Sequence, residues 1–231
     1  ADCKVTMNLD ERIKFIDFHT HHGKGSTDTV AVVNLFAGDD VPGKFPSNTL
    51  FSAGIHPWFL TAENEEEQKA ELILTIAHPH VVMIGEAGFD KIKGPEENLQ
   101  YRTFCFQAEL AEELNKPLVI HCVKGWDSLL RARKAIKPSV NWIIHGFRGS
   151  AVQARALASE GFLFSLGIAG ISDEIISETG FDIILPETDA SEEQIINVYR
   201  KFADVTGKSM DELSAIFRKN FNGCFSINDI E

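Results

Sequence analysis

The sequence predicts an α/β protein, a single eight-stranded parallel barrel of the TIM type with a shortened first helix, and three observations predict it. Short apolar runs rich in Val, Ile, Leu and Phe recur eight times along the chain, as expected of strands buried on both faces. Most of them are followed by a longer stretch of helical period, and repeated strand-then-helix order gives a parallel sheet with right-handed crossovers. At 231 residues the chain is slightly short for a closed barrel of this kind, which typically takes about 250, so its loops are trimmed. No linker, repeat or low-complexity segment interrupts it, and residues 1–231 read as one domain. A doubly wound open sheet is the alternative with the same element order.

The predicted strands are Lys14–Phe18, Thr29–Leu35, Thr49–Gly54, Val81–Gly85, Pro117–Cys122, Asn141–His145, Phe162–Leu166 and Asp182–Pro186. Between the first two, the polar stretch His22–Gly25 leaves no room for a full helix. Thr61 is a candidate N-cap, with Glu63 to Glu67 setting negative charge in the first turns of an exposed helix start. Amphipathic patterns over Glu96–Asn115, Asp127–Ile136, Ala151–Ser159, Glu192–Asp204 and Ser209–Asn220 supply the remaining helices. His78-Pro79-His80 reads as a solvated turn.

Composition narrows the class. With 44% hydrophobic and 24% charged residues, this is the mixture of a globular protein. No apolar run approaches the roughly 20 residues of a membrane span, and Ala1–Glu11 lacks the apolar core of a secretory signal. Cys3, Cys105, Cys122 and Cys224 are far apart with no C-x-x-C pair, so they read as reduced thiols of a cytoplasmic protein rather than a disulfide or thiolate-zinc framework. The net charge of -12 argues against tight, nonspecific grip on a polyanion. A nucleic-acid substrate would need bound cations to supply much of the positive field.

The chemistry-bearing residues gather at predicted strand ends. Asp17, His19 and His21 stand at i, i+2 and i+4, which on a strand turns all three to one face. Two imidazoles at that spacing can hold one cation, and Asp17 is placed to orient a ring. Glu86 follows the fourth strand, His121 ends the fifth, His145 ends the sixth and Asp189 follows the eighth. The carboxyl-end rim of such a barrel is where active sites are built. Four imidazoles and two carboxylates exceed the needs of one tetrahedral ion and suit two divalent ions about 3.5–4 Å apart. The ligand mixture accommodates zinc, manganese or iron well and magnesium less comfortably.

These motifs resemble the TatD family of metal-dependent deoxyribonucleases. The resemblance rests on D-x-H-x-H at Asp17 to His21, G-I-H-P at Gly54 to Pro57 and G-E-x-G-x-D at Gly85 to Asp90. It continues through Gln107, Lys116-Pro117, His121, His145-Gly146-Phe147-Arg148-Gly149-Ser150 and Glu187-Thr188-Asp189. It implies that His19 and His21 hold one metal, that His121 and His145 hold the other, and that Glu86 bridges both. Asp189 would bind metal and activate water, and His56 would face the substrate phosphate. Val123 stands where the family often has Arg, with Lys124 next, and Ser191 stands where Pro is common. Both departures fall on the rim and leave the ligand set untouched.

The function expected is metal-dependent hydrolysis with two divalent ions (Mg, Mn or Zn), Asp189 and Glu86 as catalytic carboxylates, and DNA as substrate, on single-stranded or frayed ends. An amidohydrolase-like enzyme acting on a small anionic ester or amide is the alternative, and a metal-bound scaffold without turnover is a third reading that Asp189 disfavours. Lys124 and Arg148 are candidate phosphate contacts. Trp58, Phe59, Trp126 and Phe147 are candidates either to stack on bases or to pack the rim loops. No membrane contact and no obligate protein partner is expected.

Overall fold

The computed structural model describes residues 9–225, and Cys3 and most of the Ala1–Glu11 stretch lie outside them. Eight parallel strands follow one another around a single sheet in the order β1 to β8: β1 Phe15–Thr20, β2 Thr29–Phe36, β3 Thr49–Gly54, β4 Val81–Asp90, β5 Leu118–Val123, β6 Trp142–Ile144, β7 Leu163–Leu166 and β8 Ile184–Pro186. The sheet is brought round to its first strand at the carboxyl rim. There Thr20 bridges Asp189, Asp189 N donates to His19 O at 2.9 Å, and His21 N donates to Asp189 O at 3.0 Å. The barrel reading is the right one, and the seam runs through three expected site residues.

The helices are α1 Glu65–Ile76, α2 Glu97–Leu114, α3 Trp126–Ile136, α4 Ala151–Ser159, α5 Asp173–Thr179, α6 Ile195–Thr206 and α7 Met210–Cys224. As the polar His22–Gly25 stretch predicts, the connection after β1 (21–28) holds no helix, and among the described residues the connection after β2 (37–48) holds none either. Both stretches carry glycine and polar residues without an apolar stripe, so nothing in them could bury a helix against the sheet. The short helix α5 went unread because its 7 residues show too little period. Its signal was the cap, Ser172 Oγ accepting from Ile175 N at 3.2 Å.

Thr61 does not cap α1. Its N–H donates to Asn64 Oδ1 at 2.7 Å in a turn, and Asn64 occupies the cap position. The exposed acidic helix start needs a second correction. Glu65 is buried and receives both Arg102 Nε and Nη2, at 2.8 and 2.6 Å to Oε2, which ties α1 to α2. Lys116 performs a similar service at the amino end of the barrel: Nζ donates to Ile76 O at 3.0 Å and Val81 O at 2.7 Å, satisfying the last turn of α1 and fixing the start of β4. The core between these ties is mainly apolar, with Phe18, Phe104, Trp142, Phe164 and Phe217 fully buried. No helix among the described residues is long and apolar enough to cross a membrane.

Candidate metal centre

Glu86 lies at the middle of the site. It sits on β4 where the register slips between Ile84 and Ala87 against β5, and its N–H donates to Asn34 Oδ1 at 3.0 Å. Its two oxygens face different imidazoles. Oε2 is 3.5 Å from His19 Nε2 and 3.4 Å from His21 Nε2. Oε1 is 3.0 Å from His121 Nδ1, 2.6 Å from His145 Nε2 and 3.2 Å from His56 Nε2. Asp189 Oδ1 completes the first group, 3.7 Å from His19 Nε2 and 3.6 Å from His21 Nε2. All six expected ligands therefore converge, from the middle of β4 and the ends of β1, β5, β6 and β8. His56, from the end of β3, joins them.

The donor set fits divalent ions. A tetrahedral ion with bonds of about 2.1 Å holds its donors about 3.4 Å apart, close to the 3.4–3.7 Å edges linking His19, His21, Glu86 and Asp189. Both ring nitrogens of His19 are buried without a hydrogen-bond partner, and so is Nδ1 of His145. Buried polar atoms are otherwise nearly always paired, and a ligand role explains why these are not. Ligating atoms gather as His19 with Glu86 and His145, as His19 with His21 and Asp189, and as His56 with Glu86 and His121. The family resemblance implies a simpler split, and His56 lies closer to the cluster than its phosphate-facing role suggests.

Charge in the site is set by burial against proximity. Burial would push Glu86 up, but His145 and the other rings hold it well below the usual carboxylate range. Burial would lower His145, and the Glu86 charge outweighs this and lifts it to about 9. His19 is lowered by burial and by His145 beside it. His56 is lowered by burial. Trp58 N donates to His56 Nδ1 at 3.1 Å, so the proton of the neutral ring sits on Nε2, facing Glu86.

Several residues of the motifs that were given no role prove to support the site. Asp90 Oδ2 accepts from Trp58 Nε1 at 2.6 Å and lies 3.3 Å from His121 Nε2, while Oδ1 accepts from Ile92 N and Lys93 N at 2.8 and 2.9 Å. Burial opposes its ionisation, yet these donors bring it down to about 2. This carboxylate–histidine contact is the kind that orients a metal-binding ring. Gln107 clamps the end of β3 through Ile55, accepting from its N–H at 2.7 Å and donating to its carbonyl at 3.1 Å. Glu187 is buried and accepts from Gly146 N at 2.6 Å and Ser165 Oγ at 2.5 Å, which fixes the loop beside His145.

Asp17 requires a correction. It orients no ring but accepts from Thr188 N at 2.9 Å and Thr188 Oγ1 at 2.7 Å, holding the peptide that precedes Asp189. The cause is a register slip on β1 between Asp17 and Thr20, which breaks the simple alternation. Gly88 explains the second glycine of G-E-x-G. A Cβ there would lie 1.8 Å from His121 O, so only glycine lets β4 approach β5 at the ligand.

At the rim, His21, Phe36, His56, Trp58, Phe59, Glu86, His121, His145 and Asp189 line a cavity of about 300 Å³. Lys124 and Arg148 are exposed on neighbouring loops, outside this cavity. Arg148 lines a separate one of about 360 Å³ that also meets Asp189 and Ala190. Trp58 and Phe59 are 45% and 51% exposed. Phe147 is buried against Phe164 at 4.9 Å, and Trp126 packs on Phe147 at 6.1 Å, so of the four aromatic candidates these two belong to the rim packing.

The family described as TatD related DNase matches residues 24–226. The chain belongs to that family. The matched residues begin after His21, so His19 and His21, the first two expected ligands, lie outside the match. Among TatD relatives, the chain is 34% identical over 104 residues to an uncharacterized metal-dependent hydrolase TatD of Mycobacterium tuberculosis, covering 42% of this chain and 39% of that one. It is 32% identical over 152 residues to a 3'-5' ssDNA/RNA exonuclease TatD of Erwinia amylovora, covering 60% and 57%. The matched stretches thus span less than two thirds of these relatives' own length. The TatD homolog YJJV of Escherichia coli K12 shares the fold with a TM-score of 0.74 at 20% identity, over 93% of this chain and 98% of that one.

Proposed function

We propose that the chain is a phosphodiesterase acting on DNA, working inward from single-stranded or frayed ends with two divalent ions. The observation that carries this reading is Glu86, whose Oε2 serves His19 and His21 while Oε1 serves His121 and His145. One carboxylate shared between two nitrogen clusters is the arrangement a two-ion clamp needs. The nuclease named among the relatives supports the substrate class. The free thiols of Cys105, Cys122 and Cys224 fit a reducing compartment such as the cytoplasm.

These residues would hold divalent ions, Mg, Mn or Zn, which when bound would supply Lewis acidity toward a phosphoryl oxygen and lower the pKa of water. The rest falls to the chain. Asp189 is the open carboxylate, its side chain 31% exposed against 4% for Glu86. With Oδ1 engaged by the His19–His21 group, it offers Oδ2 as the proton acceptor. His56 carries its proton on Nε2 and so acts as a donor, suited to a phosphate oxygen more than to an ion. Asp90 and Asp17 hold His121 and the Thr188–Asp189 turn in place. Lys124 and Arg148 meet the flanking phosphates.

A second reading has an observation of its own. A cavity of about 300 Å³ in a chain of net charge -12 also suits a small anionic ester or amide. A turnover screen with added Mg, Mn or Zn separates the two, using single-stranded DNA, RNA, closed circular duplex and small esters and amides. Cleavage of single-stranded DNA well above closed duplex is the expected result. Turnover of small esters or amides alone would replace the nuclease reading with the second.

A further inference from the structure

The cavity beside the carboxylates has an aromatic wall, three of whose four rings lie outside the candidate ion groups. Phe36, Phe59, His56 and Trp58 form a continuous run of rings, with centroids 4.9 Å apart for Phe36–Phe59, 5.7 Å for His56–Phe59 and 4.8 Å for His56–Trp58. Trp58 and Phe59 leave about half their surface open, although large apolar side chains at a rim are normally covered. Trp58 is also held. Its indole N–H is committed to Asp90 Oδ2 at 2.6 Å, the same oxygen that faces His121 Nε2 at 3.3 Å. Lys93 Nζ stands 4.1 Å from the indole centroid. Its loop is tied to the end of β5 by Lys91 N donating to Val123 O at 3.0 Å, next to Lys124. An oriented, half-exposed indole with one lysine over its ring face combines aromatic surface with a cation that can meet a phosphate.

Size and connection limit what fits. About 300 Å³ is the low end for a ligand pocket and suits one nucleotide rather than a base pair. Asp189 and Ala190 line both this cavity and the one that holds Arg148. A phosphodiester at Asp189 therefore has an aromatic compartment on one side and an arginine-bearing, glycine-lined channel on the other.

We propose that the aromatic cavity is a subsite for one unpaired terminal nucleobase, with Trp58 as its specificity-determining residue and the continuing strand leaving past Arg148. The inference rests on the phosphodiesterase reading and adds what that reading leaves open, the feature of the strand end that is recognised. Discrimination comes from stacking and is tolerant of base identity, because every base has a π-face. A paired terminus must fray before its base can enter.

The test uses metal-loaded protein and single-stranded oligonucleotides that end either in thymidine or in an abasic residue, each end examined in turn. Stacking of ~1–3 kcal/mol per base corresponds to a kcat/KM preference of roughly 5- to 150-fold for the base-bearing end. Trp58→Phe keeps most of that preference and Trp58→Leu loses it. A binding readout stands beside turnover: quenching of tryptophan fluorescence by thymidine monophosphate, compared with 2-deoxyribose 5-phosphate. Trp142 is fully buried and Trp126 packs on Phe147, so the quench belongs to Trp58 and disappears in Trp58→Phe. Equal cleavage of abasic and base-bearing ends, preference retained in Trp58→Leu, or quenching that persists in Trp58→Phe would each overturn the subsite. If no phosphodiester is cleaved but the base-dependent quench is present, the hydrolytic reading fails while base recognition stands.

Discussion

Replacing Asp189 by Asn and Glu86 by Gln separates proton transfer from ion holding, because the two carboxylates differ in how many rings they touch. Glu86 lies within 3.5 Å of five imidazole nitrogens, those of His19, His21, His56, His121 and His145. Asp189 reaches two, at 3.6 and 3.7 Å. In Asp189→Asn the amide still offers Oδ1 to the His19–His21 group, and the backbone bonds from Asp189 to His19 and His21 are untouched. Ion content therefore stays near that of the parent, while turnover loses the general base, a drop of roughly 10²- to 10⁴-fold, or ~2.7–5.4 kcal/mol. In Glu86→Gln one shared charge leaves both clusters at once. Because an amide nitrogen cannot serve as the second bridging oxygen, at least one ion per chain is lost together with activity. Elemental analysis of metal-saturated protein, paired with initial rates on a single-stranded oligonucleotide, reads both quantities. Near-parental turnover in Asp189→Asn with both ions bound would refute Asp189 as the base. An unchanged ion count in Glu86→Gln would refute the shared-carboxylate geometry.

Three further outcomes follow from the same structure. Arg102, and less strongly Lys69, hold Glu65 down to about 2, so its contribution is present above about pH 4.5 and fades as pH falls toward 2. Glu65→Gln should cost ~1–2 kcal/mol at pH 7, less than the full pKa gap implies because Arg102 is half exposed, and urea titrations at several pH values should show the difference shrinking on acidification; a pH-independent difference would exclude the ion pair as its source. Gly88→Ala forces a Cβ to within 1.8 Å of His121 O and should lower stability by at least ~3 kcal/mol and reduce ion affinity with it, whereas a Tm within about 2 °C of the parent would show that β4 can shift freely. Chelation should abolish turnover and lower Tm, by roughly 5–10 °C if the ions were present at about 100 times their Kd, and a Tm insensitive to chelator would mean that the fold does not bind ions more tightly than the unfolded chain.

What could be read from the residues, and what could not, divides along a physical line. His19, His21, Glu86, His121, His145 and Asp189 were legible because a closed parallel barrel delivers every strand end to one rim. Finding chemistry-bearing residues after successive apolar runs is enough to bring them together. Their supports were not legible, because a hydrogen-bond partner depends on register and bulges that no period encodes. Asp17 shows this most directly: its spacing from His19 and His21 promises a shared face, but the slip on β1 gives it to Thr188 instead. Glu187 and Asp189 show it again, two acids separated by one residue. The first is buried under Gly146 and Ser165 and the second is open at the rim.

The missing helices after β1 and β2 were only half legible, since absence of an apolar stripe is weaker testimony than its presence. Their absence nevertheless bears on the site. With no helix between β1 and β2, the chain turns directly from His21 through Gly23 and Gly25 back to the sheet. His19 and His21 are then fixed chiefly by the seam with Asp189. Closure of the barrel and assembly of the His19–His21–Asp189 group thus rest on the same two backbone segments, residues 19–21 and residue 189. A substitution that loosens the seam should therefore lose the ion before it loses the fold, since the remaining seven strand pairings do not depend on it.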